Sequence, residues 1–391
     1  MRVLVCGMAL FVACSDTGGG PVDANRDAPP QPTDADPDGP PPCPVADVVD
    51  PATATEVAVA GDVPTPMGIF DPSIVYPAGA PAGAMAYSAV PDQLTIRTRI
   101  AVSADGGATW TRVAEVNQPE AATLPSTDAG ECPGGACTGN LISEVSSLVY
   151  DADDPDPARR WKLFAHRYLI GAGVALHYRI GTIALQTAAQ VEGPWTAPRK
   201  LVGWTSPAPY SSAGVVTSAT DLPTTADCLA LTEPSALWRP GALYLAVGCV
   251  YLEGAAARIR IELLRSTDHA GSWHGLGTLL RPDDAACLRP GASINAAELF
   301  AVGDAVRVAA TPSDDAGYHG CMVFPVADLA TARIARAADG RALPTRTIVT
   351  APTRFAGACA FAAGAHGYHL PIGFLASDRP FRIFRAGLDG P

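Results

Sequence analysis

The chain has 391 residues and a formal net charge of −12, and only 17% of its residues are charged. A chain of this length can bury a large core, while the acidic balance and the lack of a basic stripe argue against nucleic-acid binding. With 38 glycines and 37 prolines, the composition favours many short strands and turns over long helices.

The first 14 residues are typical of a signal peptide. Arg2 gives a positive start, and the apolar run that follows is too short to span a bilayer and ends in FVAC. This ending resembles a bacterial lipobox, so Cys14 is predicted to be lipid-modified and the protein to be anchored in the cell envelope. An ordinary signal peptide, and hence a secreted protein, is the alternative.

Residues 15–50 are rich in proline, aspartate and glycine and have little to bury, which predicts a disordered tether. Within it, DADPDG at 34–39 resembles the start of a calcium-binding loop. The twelfth position of that loop is Val45 instead of a bidentate glutamate. We therefore expect no cofactor, with a structural calcium as the alternative.

Eight cysteines lie beyond the signal region, an even number that predicts disulfides in an oxidising compartment. Cys132 and Cys137 bracket four residues and could close a small loop. Cys228 and Cys249 lie at the open end of a predicted hairpin. The remaining four cannot be paired from the sequence and do not have zinc-site spacing: Cys43, Cys287, Cys321 and Cys359.

From residue 51 to residue 391 a motif recurs in which an acidic residue heads a short apolar strand. It reads GIFDPSIVY at 68–76, SEVSSLVY at 143–150, TEPSALW at 232–238 and, with the acid replaced, SINAAELF at 293–300; AGACAF at 356–361 is a weaker copy. The spacing, about 60 to 90 residues, suits one four-stranded propeller blade. The sequence therefore predicts an all-β, five-bladed β-propeller with four-stranded antiparallel blades.

The predicted strands follow these motif copies along the chain. Blade by blade they are 69–76, 83–90, 94–103 and 109–116; 143–150, 160–168, 174–187 and 195–202; 230–238, 241–251, 256–266 and 273–280; a strand from 293, then 304–311, 320–326 and 332–337; and 355–362, 367–375 and 380–386. The last blade lacks a fourth strand. A segment near 53–60 could supply it and so join the two ends of the chain.

Two predicted hairpin turns share a second motif, SADGGATW at 103–110 and the looser STDHAGSW at 266–273. Asp105 can accept backbone N–H bonds across its turn, and Trp110 can fill the space beneath it. Asp268 and Trp273 are the counterparts in the second copy. All four residues are therefore predicted to be structural.

These motifs resemble known families. DPSIVY, EPSALW and GPWTAP (193–198) are similar to motifs of the five-bladed glycoside hydrolases of family 43 and their arabinanase and invertase relatives. The two turns resemble the Asp-boxes of sialidases. The resemblance implies a carbohydrate-active enzyme with Asp71 as base or nucleophile, Glu233 as proton donor and Glu144 as an orienting acid. Glu144 departs from the pattern because one extra residue separates it from the following aromatic, which could turn it to the other face.

Glycoside hydrolysis needs one protonated and one ionised carboxyl group facing the glycosidic bond. The first strands of propeller blades line a central channel, so their acidic heads are expected to converge there, and their mutual repulsion raises at least one pKa. His166 and Arg167, in KLFAHRY, and Asn295 are further candidates for binding sugar hydroxyls. A buried histidine without a substrate role is the alternative for His166.

Two other functions stay open. A sialidase would need three converging arginines and a tyrosine nucleophile, and no convincing trio emerges from the candidates Arg97, Arg99, Arg258, Arg260 and Arg382. A non-catalytic, glycan- or protein-binding surface lipoprotein would explain the degenerate later copies of the acid motif. The expected partners are a glycan and, through the lipid anchor only, a membrane, and we expect a monomer.

Overall fold

The computed structural model describes residues 43–44, 46–63, 65–80, 82–92, 94–126, 130, 132–204, 214–315, 317–350, 355–361, 368–373 and 380–386. The signal region, Cys14 and residues 15–42 of the predicted tether lie outside these ranges. Within the ranges, no helix has the length and apolar character needed to cross a membrane.

The described residues form β-strands and short 3-10 turns. In chain order the strands are β1 (Ala46–Val49), β2 (Thr55–Glu56), β3 (Val59–Ala60), β4 (Ile69–Val75), β5 (Gly83–Asp92), β6 (Thr95–Ser103), β7 (Trp110–Asn117), β8 (Glu120–Pro125), β9 (Ala136–Tyr150), β10 (Trp161–Gly171), β11 (Leu176–Ala188), β12 (Arg199–Gly203), β13 (Thr217–Ser218), β14 (Ala230–Arg239), β15 (Ala242–Glu253), β16 (Ala256–Ser266), β17 (His274–Leu280), β18 (Ser293–Val302), β19 (Ala305–Asp314), β20 (Gly317–Tyr318), β21 (Cys321–Asp328), β22 (Arg333–Ile334), β23 (Arg346–Thr350), β24 (Phe355–Ala356), β25 (Tyr368–Gly373) and β26 (Arg382–Ala386). The 3-10 turns are Pro157–Arg159, Ala172–Val174, Ala219–Asp221, Pro223–Thr225 and Pro282–Ala285.

The strands assemble into five sheets, numbered here along the chain. Sheet 1 has the order β4-β5-β6-β7-β3, and sheet 2 has the order β8-β9-β10-β11-β12-β13. Sheet 3 is β14-β15-β16-β17, sheet 4 is β18-β19-β21-β23-β1 with β20 and β22 at its sides, and sheet 5 is β24-β25-β26-β2.

Hydrophobic clusters pack each sheet against the next. Phe164 and Leu245 belong to the cluster between sheets 2 and 3, and other clusters join sheets 1 and 2, 3 and 4, and 4 and 5. Met85 and Ile383 belong to a cluster that joins sheet 5 back to sheet 1. The fold is therefore an all-β propeller with four-stranded antiparallel blades.

Four of the sheets are regular blades, where the sequence predicted five. Sheet 5 is smaller, because its strands have only two to six residues. Thr55 and Glu56, in the segment predicted to join the chain ends, pair antiparallel with Arg385 and Phe384 of β26. The N-terminal segment thus contributes an outer strand to the C-terminal sheet.

The prediction for the outer strand of the fourth blade was wrong. Residues 332–337 contribute only the two-residue β22, beside the left-handed Ala332. The outer position is taken by β23, which pairs antiparallel with β21. Its sequence, RTIVT, is rich in β-branched residues that suit a half-buried strand.

The folded part also begins earlier than residue 51, the predicted start of the propeller. Ala46–Val49 pairs in parallel with β23, and Cys43 forms a disulfide with Cys287. The predicted pairs Cys132–Cys137 and Cys228–Cys249 are confirmed. The fourth disulfide is Cys321–Cys359, which joins sheet 4 to the chain just after β24.

The two turns that resemble Asp-boxes, at 103–110 and 266–273, have matching hydrogen bonds. Asp105 Oδ1 accepts the backbone N–H of Thr109 at 2.9 Å, and Asp268 Oδ1 accepts that of Ser272 at 2.9 Å. Trp110 and Trp273 are buried at the ends of their turns. Both aspartates therefore bind their own turns and hold the hairpins in shape.

The acidic loop after β9, DADDPDPARRW at 151–161, buries two of its carboxylates. Asp151 and Asp154 are buried around the ammonium group of Lys162, which is itself fully buried. Lys162 Nζ lies 2.6 Å from Asp154 Oδ2 and 3.4 Å from Asp151 Oδ2. These two carboxylates therefore lie in the protein interior, while most of the loop around them is exposed.

Candidate active site

The innermost strand of each sheet, or the segment after β24 in sheet 5, carries one non-glycine residue with a left-handed backbone. These residues and their φ angles are Asp71 (49°), Val145 (47°), Glu233 (46°), Ala296 (43°) and Ala358 (54°). In sheets 1 to 4 the strand pairing shifts register at this point, as in a β-bulge. A left-handed backbone at a non-glycine residue destabilises the folded state by roughly 1–2 kcal/mol. Strained backbone of this kind clusters at functional sites.

Serines two positions after these residues link successive innermost strands. Each serine Oγ accepts a backbone N–H from the next sheet: Leu148 N to Ser73 Oγ at 3.0 Å, Ala236 N to Ser147 Oγ at 2.8 Å, and Leu299 N to Ser235 Oγ at 2.8 Å. The bonds hold the four innermost strands at matching levels. Four of the left-handed residues line one channel, together with Pro234, the neighbour of the fifth.

Three buried carboxyl groups come from successive sheets at this level. Asp71, Glu144 and Glu233 are each at most 7% exposed. Burial, reinforced by the charges of Glu144 and Glu233, raises the pKa of Asp71 well above its ordinary value. Burial, with a smaller contribution from Glu233, raises the pKa of Glu144 to about 8. The structure thus brings the three predicted acids close enough to repel one another.

Glu144 reaches this site despite its extra residue of spacing. The left-handed position of sheet 2 is Val145, so Glu144 lies one residue before the place that Asp71 and Glu233 occupy. Its Oε1 accepts a hydrogen bond from the Tyr168 hydroxyl. The bulge and the longer glutamate side chain therefore keep Glu144 in the site.

Glu233 has the most hydrogen-bond donors of the three acids. The backbone N–H of Ala296 donates to Oε2 at 2.7 Å, and the Tyr318 hydroxyl donates to Oε1 at 3.0 Å. Burial raises the pKa of Glu233 to about 7, while bonds from Tyr318, Ala296 and Asn295 act in the opposite direction. Glu233 is thus a carboxyl group that can change protonation near neutral pH.

The three predicted substrate-binding residues have different surroundings. His166 lies opposite Glu144 in the sheet and is stacked 4.6 Å from the Tyr168 ring; burial lowers its pKa to about 3. Arg167 forms an ion pair with Glu120 at 2.7 Å. Asn295 is fully buried and donates to the Tyr318 hydroxyl at 3.3 Å. His166 and Asn295 therefore contact other residues of the site, whereas the ion pair of Arg167 links β10 to β8.

The sequence reasoning missed three tyrosines. Tyr168 lies two residues after His166, hence on the same face of β10, and this alternation was a usable signal. Tyr178 packs 4.5 Å from Tyr168, and its pKa is raised well above its ordinary value by burial and by all three acids. Tyr318 stands on the two-residue β20, within a loop-like sequence that has no such signal.

Glu298 takes the place in sheet 4 that Ser235 has in sheet 3. Ser235 Oγ donates to its Oε2 at 3.0 Å, and burial raises its pKa to about 8. A carboxyl group whose pKa is raised by folding stabilises the folded state at pH values below its pKa in the unfolded chain. This stabilisation is lost as the pH rises through the folded-state pKa of about 8. Relative to wild type, the free energy of unfolding of Glu298→Gln should therefore increase by about 1–3 kcal/mol between pH 5 and pH 9.

Denaturant unfolding at the two pH values measures this change. Glu192→Gln, at an exposed glutamate, is the control. Its free energy of unfolding should differ from that of wild type by the same amount at both pH values. If the difference in free energy of unfolding between Glu298→Gln and wild type does not depend on pH, Glu298 is not held protonated in the fold.

No protein-family model and no curated protein sequence matches the chain. A family 32 glycoside hydrolase of Bifidobacterium adolescentis has a TM-score of 0.51 at 9% identity, over 86% of this chain and 58% of that chain. The Bacillus subtilis arabinanase has a TM-score of 0.46 at 10% identity, over 84% and 94%. The Bombyx mori family 32 β-fructofuranosidase has a TM-score of 0.47 at 12% identity, over 86% and 62%.

The chain spans less than two thirds of both family 32 chains. At such low identity the likeness concerns the fold alone. It defines the class of this protein as a β-propeller with the fold found in glycoside hydrolases.

Proposed function

We propose that the protein is a glycoside hydrolase that acts on a glycan at the end of the channel. Asp71 is the base or nucleophile, Glu233 is the proton donor, and Glu144 orients them. In this proposal sheet 5 serves as the fifth blade and closes the ring. The observation that carries the proposal is the mutual repulsion of three buried carboxyl groups from successive sheets.

This arrangement suits the chemistry because ionisation of one acid raises the pKa of the others. The cluster therefore tends to hold ionised and protonated carboxyl groups together. In this proposal Asp71 must be ionised to activate water or attack the anomeric carbon, although its burial favours the protonated form, while a protonated Glu233 assists departure of the leaving group. The pKa of about 7 for Glu233 supports the second role.

The ion pairs of the candidate arginines favour a neutral glycan over sialic acid. Each arginine binds a carboxylate that is not one of the three acids: Arg97 with Glu115, Arg99 with Asp62, Arg258 with Glu253, Arg260 with Asp227, and Arg382 with Glu56. A sialidase would need three such side chains turned towards the substrate carboxylate.

We place the enzyme outside the cytoplasm. Four disulfides fit an oxidising compartment. Lipid attachment at Cys14, with residues 15–42 as a tether, would hold the propeller near a membrane surface as a monomer. The calcium alternative for residues 34–39 also lies in that segment.

Hydrolysis of a panel of aryl pentosides and hexosides tests the proposal. Wild type should release the phenol, and Asp71→Asn should abolish release while remaining folded. Asp304→Asn, at an exposed aspartate of a hairpin tip, should retain activity. Glycan retention without hydrolysis, unaffected by Asp71→Asn, would instead support the non-catalytic binding protein.

A further inference from the structure

Tyr318 delivers a hydrogen bond to Glu233 from the neighbouring sheet. Its ring is 6% exposed, and its hydroxyl lies 3.0 Å from Glu233 Oε1. Asn295 Nδ2 lies 3.3 Å from the same hydroxyl. The amide can only donate from this nitrogen, so the hydroxyl oxygen accepts from Asn295 and turns its own proton towards Glu233. Asn295 and Tyr318 therefore form a directed relay of donors.

The second oxygen of Glu233 is held from the same sheet. The backbone N–H of the left-handed Ala296 donates to Oε2 at 2.7 Å. Each carboxyl oxygen has two lone pairs, and each accepts one of these two bonds. The two bonds fix the plane of the carboxyl group and leave a lone pair on each oxygen for the proton that Glu233 would transfer.

Sheet 5 fixes the ring of Tyr318. A Cβ atom added to Gly357 would lie 2.7 Å from Tyr318 Cδ2 and 2.5 Å from Thr311 Cγ2. Both distances are shorter than a carbon–carbon contact at optimal separation, about 3.5–4.0 Å. Gly357 therefore leaves the space that the ring fills, and any larger residue would push the ring.

We propose that Tyr318 is a positioning residue for Glu233, directed by Asn295 and fixed in place through Gly357. The consequence for the reaction rate rests on the proposed function, whereas the effect on Glu233 itself does not. Because an O–H donor stabilises the ionised carboxylate, Tyr318 lowers the proton affinity of Glu233 and sets its orientation. Sheets 4 and 5 thus act on an acid that belongs to sheet 3.

Titration of the glutamate carboxyl carbons by 13C NMR tests the proposal directly. The signal of Glu233 is assigned as the one that disappears in Glu233→Gln. In Tyr318→Phe the midpoint of Glu233 should rise by about one pH unit. The alkaline limb of the pH–rate profile should shift to higher pH by a similar amount, and kcat should fall about tenfold with little change in KM. Gly357→Ala should shift both quantities in the same direction by displacing the ring.

Tyr87→Phe is the control, because Tyr87 is an equally buried tyrosine in sheet 1; it should leave the Glu233 midpoint in place. An unchanged midpoint in Tyr318→Phe, or in a folded Gly357→Ala if Tyr318→Phe does not fold, overturns the inference even if the enzyme is active. A shifted midpoint in a protein that hydrolyses no glycoside supports the positioning role and refutes only the proposed function.

Discussion

Glu233→Gln should lower kcat/KM by about 10³-fold for glycosides with poor leaving groups and by less than about tenfold for dinitrophenyl glycosides. A poor leaving group needs a proton as the glycosidic bond breaks, and glutamine cannot supply one. A dinitrophenolate departs without that help. The buried carboxyl of Glu233, whose pKa is about 7, would be the source of the proton.

Rates for a series of aryl glycosides of rising phenol pKa measure this effect. The slope of log kcat/KM against phenol pKa should become steeper in Glu233→Gln than in wild type. Glu192→Gln, at an exposed glutamate, is the matched control and should keep the wild-type slope. An equal loss for all leaving groups would show that Glu233 does not donate the proton.

Lys162→Met should destabilise the protein by about 3–5 kcal/mol, because it leaves buried carboxylates without their counter-ion. Lys162 Nζ lies 2.6 Å from Asp154 Oδ2 and 3.4 Å from Asp151 Oδ2. His269, from the second Asp-box turn, also contacts Asp151 at 3.0 Å. These groups join sheets 2 and 3.

Denaturant unfolding measures the loss, with Lys200→Met, at an exposed lysine, as the control. Burial tends to raise the pKa of Asp154, but bonds from Lys162 and other donors outweigh it and hold the pKa below its ordinary value. That stability is present above the unfolded pKa and is lost as the pH falls. The deficit of Lys162→Met should therefore shrink at low pH. A deficit near zero at neutral pH would refute the role of Lys162 as counter-ion.

The predicted strands of sheets 1 to 3 lie within a few residues of the observed ones, and the structure adds β3, β8, β13 and the N-terminal part of β9. Their alternating apolar residues and their turn motifs are local properties of the chain. The fourth blade was harder because residues 332–337 and Arg346–Thr350 compete for one outer position. The choice depends on pairing with β21, which is a contact between distant parts of the chain.

The site shows the same division between local and distant information. Asp71, Glu144 and Glu233 could be found because each heads a repeated strand motif. Tyr318 could not, because its partner Glu233 is 85 residues away in the sequence. The burial of Asp151 and Asp154 also depends on contacts outside the acidic run, because carboxylates are buried only where a cation such as Lys162 compensates their charge.

By itself the sequence determined the periods of the strands, the turn chemistry of the Asp-boxes and the identity of the acidic residues at the strand heads. These follow from backbone and side-chain preferences that act over a few residues. The tertiary structure decided which acids lie together, which donors each carboxyl group receives and how far burial raises its pKa. Those properties arise only when the sheets pack around the channel and bury the acids.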